Sequence, residues 1–161
     1  MMTRLTLAAL LLATTADVSA AKHALRWKSI HEQTTCEVVA PGSCIGEYGF
    51  TINATGHFIT GPSPSGIRVE GQLTGDELQR LQRAIAQLEP AKMAETCVAS
   101  RLIAGTSDRL ALISSNGGGR VVFRRESPSQ TCFRGDQDAA THLHDVMQSL
   151  MAEHYPQRFP Q

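Results

Sequence analysis

Apolar residues recur along this chain with two different periods, and the change from one to the other divides it into elements. Tyr48, Phe50 and Ile52 alternate with polar or small residues, the period-two pattern of a half-buried strand. Asn53-Ala54-Thr55-Gly56 supplies turn chemistry, and His57 to Thr60 returns as a second strand carrying Phe58 and Ile59. Gly61-Pro62-Ser63-Pro64-Ser65-Gly66 reads as a loop, after which Ile67 and Val69 mark a third strand ending at Gly71. The period then lengthens. Thr74 with Glu77 three residues on is a capping box, because each side chain can satisfy an orphan amide at a helix start. Leu78, Leu81, Ile85 and Leu88 follow at helical spacing and predict a helix over about 74–88, with Pro90 just beyond it.

Residues 91–106 read either as an irregular link or as a strand near Val98 to Ile103. Asp108 to Ile113 carries apolar side chains on both faces and is expected to be an interior strand. Asn116-Gly117-Gly118-Gly119 is a hairpin turn, Arg120 to Arg125 returns through Val121, Val122 and Phe123, and Ser127-Pro128-Ser129 opens a loop to Cys132. A final helix is expected from about Asp138 to His154, with Ala139, Leu143, Val146, Met147, Leu150 and Met151 as its inward stripe. Residues 21–45 are polar and mixed around a lone Trp27, and read as a lead-in segment. The order is βββ-α-(β)-ββ-α. Tight turns make the sheet mainly antiparallel, and two helices with one apolar stripe each should share one of its faces. The fold class is therefore α+β, a two-layer sandwich, with one domain over 46–154 and a C-terminal tail over 155–161.

The first residues change the compartment. Arg4 precedes a predominantly apolar run from Leu5 to Ala13, and a polar stretch ends in Val18-Ser19-Ala20. Charge, apolar run and small-residue site in that order predict a signal peptide over 1–20, cleaved between Ala20 and Ala21. The run is too short to span a hydrocarbon core of roughly 30 Å as a helix, and no later segment is long and apolar enough to do so. The expected location is secreted or periplasmic, with an extracytoplasmic protein as partner. Formal net charge is zero. Cleavage removes one base, Arg4, and one acid, Asp17, so the balance holds. That neutrality argues against a nonspecific nucleic-acid binder or a polybasic lipid-binding protein.

All four cysteines, Cys36, Cys44, Cys97 and Cys132, lie after the signal peptide. An even count in an exported chain reads as two disulfides. Of the three possible pairings, Cys36–Cys44 is favoured by its short loop and the Pro41-Gly42 turn. Cys97–Cys132 would then bracket the central hairpin. Without paired C-x2–4-C knuckles zinc is disfavoured, and without CxxC so is a thioredoxin-like role.

Motifs for chemistry are sparse. Asn116 to Gly119 lacks the lysine-serine end and the following helix of a phosphate-binding loop. Arg134-Gly135-Asp136 spells an integrin-type tripeptide but reads more simply as a polar turn, and Asn53-Ala54-Thr55 fits a glycosylation acceptor. His142, His144 and His154 fall on the last helix. His142 and His144 are two apart and cannot share a face, whereas His142 joins Asp138 and Asp145 on an expected exposed face. There is no G-x-S-x-G. No catalytic residue, metal ligand or cofactor is assigned.

In order, Gly49-Phe50, Leu73-Thr74, the helix from Glu77-Leu78 to Leu88, the hairpin from Asp108-Arg109-Leu110 to Val122, and the helix from Leu143 to Leu150 form a series. Over about residues 46–151 that series resembles the small emfourin-type inhibitors of thermolysin-like metalloproteases. The resemblance implies a non-enzymatic inhibitor. The chain departs from the family by its export signal, four cysteines and N-terminal extension, and no functional residue is carried over. The leading expectation is an exported non-enzymatic binding module, an inhibitor or an envelope accessory protein, with the Gly61–Gly66 loop and the Asn116–Gly119 turn as contact sites. The alternative is a small exported hydrolase using His142 or His57 as base.

Overall fold

Thr74 accepts a hydrogen bond from the Glu77 backbone amide, and the Glu77 carboxylate reaches back to the Thr74 amide. That reciprocal cap opens helix α1, Gly75–Ala86, where the sequence places it. The computed structural model describes residues 26–37, 45–61, 66–88, 94–99, 106–126 and 130–154. In chain order these form β1 (Trp27–Glu37), β2 (Ile45–Asn53), β3 (His57–Thr60), β4 (Glu70–Gln72), α1, β5 (Glu95–Ala99), β6 (Thr106–Ser114), β7 (Gly119–Glu126), β8 (Gln130–Arg134) and α2 (Gln137–His154). The predicted signal peptide, Cys44 and the 62–65 part of the proposed contact loop lie outside the described residues, as does the 155–161 tail.

The eight strands form one sheet in the order β4-β3-β2-β1-β6-β7-β8-β5, and every pairing is antiparallel. The fold class is α+β and mostly sheet. Two strands correct the sequence reading. Residues 27–37, taken as part of a lead-in over 21–45, form the central strand β1, between β2 and β6. Residues 130–134, read as the end of a loop running to Cys132 followed by a polar turn from Arg134, form β8. The order is thus ββββ-α-ββββ-α. The third strand is shorter and later than expected, Glu70–Gln72, and the ambiguous 91–106 stretch holds β5 over Glu95–Ala99.

One face of the sheet carries the core. Phe50, Glu32, Leu110, Phe123 and Phe133 sit side by side across β2, β1, β6, β7 and β8, and Ile52, Ile30 and Leu112 form the next row. Leu81, Ala84 and Ile85 of α1 and Ala140, Leu143, Met147, Leu150 and Met151 of α2 bury against them. Burying side chains of this size stabilises by roughly 1.5–3 kcal/mol each, so this layer dominates the favourable side of folding. The opposite face carries Ser29, His31, Gln33 and Thr35 of β1, with Ser107, Arg109, Ala111 and Ile113 of β6. None of these is fully buried. β6 therefore alternates, with Asp108, Leu110 and Leu112 inward. It is interior by position, as expected, with Ala111 and Ile113 as half-buried apolar side chains on the other face.

A β-bulge in β7 decides what this second face, left uncovered among the described residues, presents. Leu110 pairs with Phe123 but its neighbour Ala111 pairs with Val121, so Val122 is the extra residue. Val122 and Phe123 can then both bury, and Arg124 turns outward opposite Arg109. Without the bulge the period-two alternation would put Phe123 outside and Arg124 inside.

Candidate functional site

The uncovered face hollows into a cleft of about 400 Å³ where β1, β6, β7, β8 and β5 run side by side. Arg109, Arg124 and Arg134 line it from that face, and Arg125, the register partner of inward Asp108, borders it from the other. Gln33, Thr35 and Ser107 add amide and hydroxyl groups, Glu95 and Glu126 add carboxylates, and Asp108 borders the cleft from the covered side. Arg124 lies 3.0 Å from Glu126 and 3.8 Å from Glu95, and Arg134 lies 3.7 Å from Glu95. Arg125 lies 3.5 Å from Asp108 and its guanidinium stands over the Phe123 ring at 5.3 Å. Arg109 is exposed, and among the described residues no carboxylate reaches ion-pair distance of it. Its charge is felt nonetheless. The half-buried His31 ring is held below its ordinary pKa by burial first and by Arg109 second, with Glu47 opposing. His31 Nδ1 also lies 2.7 Å from the Thr51 hydroxyl across the strand pair.

Behind the cleft, under α2, sits a buried polar cluster that periodicity gave no reason to expect. His144 Nδ1 lies 3.2 Å from Glu32 Oε1, and His144 Nε2 lies 3.9 Å from Asp108 Oδ2. Glu32 is 0% and His144 3% exposed. The Thr34 hydroxyl donates to Asp108 Oδ1 at 2.8 Å, and Gln148 Nε2 donates to Glu32 Oε1 at 2.8 Å. The His144 ring stacks on Phe123 with centroids 4.1 Å apart and planes 9° apart. The 3.2 Å approach to Glu32 lacks hydrogen-bond alignment. His144 Nδ1 and Glu32 Oε2 have no hydrogen-bond partner among the described residues. Burial pushes the Glu32 carboxyl above its ordinary value. The Asp108 charge pushes the same way, and His144 and Gln148 oppose it.

The predicted residues are scattered. His142 is exposed on α2 together with Asp138 and Asp145, as its spacing implied. His57 is half-exposed on β3, 4.0 Å from Glu70. His144 is buried, and both of its ring nitrogens face carboxylates, so neither edge is open to a hydroxyl nucleophile. His154 Nε2 lies 2.7 Å from Glu77 Oε1 and its ring packs on Phe58. Glu77, Glu153 and His154 bring three potential metal-ligand atoms within 4.8 Å of one another. These atoms are already engaged by protein partners: Arg80 and Ser149 hold Glu153, and Thr74 holds Glu77. The group reads as the bolt joining the start of α1 to the end of α2.

Cys97 and Cys132 stand directly opposite each other in the β5–β8 pair, with Cα atoms 4.0 Å apart, and are joined by a disulfide. The Arg124 guanidinium donates to Cys132 Sγ at 3.7 Å. The expected Cys36–Cys44 pair involves a residue outside the described ones. The other sequence motifs have local roles. Asn53 Oδ1 accepts from the Thr55 amide and hydroxyl and from the His57 amide, which closes the β2–β3 turn. Asp136 Oδ1 accepts from the Ala139 amide and caps α2. Gly117 takes φ of 85° in the β6–β7 hairpin turn.

No protein-family model matches this chain, and no curated protein is similar to it. Among solved structures, one likeness is to SsgB of Streptomyces coelicolor, whose mutations correlate with longitudinal cell division during sporulation. It has 13% identity, covers 85% of this chain and 98% of that one, and has a TM-score of 0.24. At that score the likeness carries no argument about fold or role.

Proposed function

We propose that this chain is an exported, non-enzymatic binding module, built as two layers, that engages an extracytoplasmic partner through the sheet face its helices leave uncovered. One observation carries the reading: the polar, arginine-lined cleft lies on that face, while the helix-covered face is filled by core. Side chains projecting from a hydrogen-bonded sheet are already positioned, so binding costs little ordering entropy. His142, exposed on α2, and His57, beside Glu70 on β3, are the bases the hydrolase alternative would use, and neither lines the cleft, which supports binding over hydrolysis. Export rests on the N-terminal pattern and is consistent with the Cys97–Cys132 disulfide. Among the described residues no helix is long and apolar enough to cross a membrane. The emfourin-type inhibitor is a narrower form of the same reading, in which the partner is a thermolysin-like protease.

The test is site-specific photo-crosslinking of the full chain in its own envelope or culture supernatant. Probes replace Thr35 or Ser107 on the uncovered face, and Gln82 or Asp145 on the helices. Adducts from the first pair alone are expected, and adducts only from the helices would overturn the reading. A mature N-terminus at Ala21 checks export, and a protein still beginning at Met1 or Met2 would refute it. Titration of a thermolysin-like protease with the mature domain decides the inhibitor branch, since unchanged protease activity at stoichiometric concentration removes it.

A further inference from the structure

Arg109 and Arg124 are direct cross-strand partners on the uncovered face of β6 and β7. Like charges so placed destabilise a sheet, and most sequences avoid them. Here the opposition is produced by the β7 bulge, which turns Arg124 outward. Arg124 shares its charge with Glu126 and Glu95, but Arg109 has no carboxylate within ion-pair distance among the described residues. Its field reaches as far as His31. Arg109 thus offers an unshared guanidinium at the cleft, while Arg124 is held on the β8 side by Glu126, Glu95 and Cys132 Sγ and would meet an oxyanion on Arg109 by turning from those partners.

The surroundings narrow the ligand. Glu95 and Glu126 line the same cleft and Glu47 is exposed on neighbouring β2. These acids would repel a long polyanion or an anionic membrane surface. The anion must be compact, and the rest of the ligand must suit what lies beside it. One register row along, Thr35 and Ser107 are cross-strand partners and offer two hydroxyls, while Gln33 stands opposite Arg109. Two residues along a strand span about 7 Å, roughly the reach of a sugar ring with its charged substituent. The cleft volume of about 400 Å³ lies within the usual range for small-molecule sites.

Resting on the binding reading above, we infer that this cleft holds an acidic sugar unit. Its oxyanion sits on Arg109, with Arg124 turning from its acid partners to meet it, and its hydroxyls lie over Thr35 and Ser107. Uronic and phosphorylated sugars share this chemistry.

The mature, oxidised protein is titrated calorimetrically with glucuronate, glucose 6-phosphate, inorganic phosphate and glucose. Saturable binding of either acidic sugar is expected, with inorganic phosphate about tenfold weaker and glucose undetectable; the tighter acidic sugar identifies the carboxylate or the phosphate source. Arg109→Gln should weaken the acidic sugar at least about tenfold, the loss of one charge-assisted hydrogen-bonding group. Arg83→Gln, on α1, should leave affinity unchanged. In ligand-free protein, Arg109→Gln should keep or raise the urea midpoint, because it removes a like-charge pair, so lost binding cannot be put down to unfolding. Absence of binding by both acidic sugars, or unchanged affinity in Arg109→Gln, would overturn the inference. Crosslinks from Thr35 to a partner that persist in that case would leave the binding reading standing while this one falls.

Discussion

Replacing Cys97 and Cys132 together by alanine removes a link that closes a span of 35 residues. In the chain-entropy description, a loop of that size restricts the unfolded ensemble by about 3.8 kcal/mol at 25 °C. The native side of the balance lowers that figure. β5 has no buried residue along its length, and among the described residues its strand partner is β8 alone. Without the disulfide, β5 regains freedom while the core under α1 and α2 stays intact. The expected loss is therefore about 2–4 kcal/mol, or about 1–2 M in urea midpoint for an m-value near 2 kcal/mol per M. Hydrogen exchange locates the effect. The β5 amides should exchange fast in the variant while those of β1 and β6 remain protected. A midpoint shift below about 0.5 M, or unaltered β5 protection, would refute the view that this bond is what fixes the edge strand.

Three further outcomes are expected. Thr74→Ala should lower stability by about 0.5–2 kcal/mol in a urea melt, because it removes the cap of α1. The same change bears on acid stability. Burial raises the Glu77 carboxyl, but the Thr74 amide and hydroxyl and His154 outweigh it and hold it down to about 2. That contribution is present above pH 4.5 and is lost as pH falls towards 2, so the variant should acid-unfold at a higher pH. Glu32 has the opposite sign: its raised pKa favours the folded state below pH 4.5 and that advantage is lost as pH rises through the folded-state value. Melting temperatures of Glu32→Gln across pH 4–8 should fall less with rising pH than those of the parent, and parallel curves would refute this. In Gly71→Ala the new methyl would stand 2.5 Å from the Phe58 ring, its direct cross-strand partner. Overpacking of this kind costs about 1–3 kcal/mol, readable as a lower thermal midpoint.

Helix α1 was legible because its cap, stripe and stop agree, and α2 and the β6–β7 hairpin were legible for the same reason. β1 was not. Its inward positions hold Ile30, Glu32 and Thr34, and its outward ones Ser29, His31, Gln33 and Thr35. Glu32 and Thr34 are buried because His144, Gln148 and Asp108, all more than 70 residues away, provide polar partners. Hydrophobic alternation cannot register a strand whose burial depends on such distant groups. β8 was hidden by its shortness and by three consecutive buried residues, Thr131, Cys132 and Phe133, which give no period. The arginine pair was out of reach for another reason. Arg109 and Arg124 become neighbours only through the register of two strands and a one-residue bulge. The histidines show the converse, since sequence singled out His142 and His57 while the buried one is His144.

The sheet order also has a temporal side. β1 to β4 form a meander, β6 to β8 form another with β5 added at its far edge, and in the sheet the two halves touch only where β1 meets β6. Thr34 and Asp108, hydrogen-bonded across that seam, are 74 residues apart in the chain. Each half can zip locally, but the seam must await a long loop closure, so its formation is the step expected to be slow. On the proposed export route, a chain threaded out amino-terminus first would deliver β1 long before β6. For that interval β1 presents an unpaired edge, with Glu32 on it still hydrated and able to carry charge. A charge on an open edge discourages wrong pairing between chains. The same glutamate that costs stability once enclosed guards the chain while it waits for its second half.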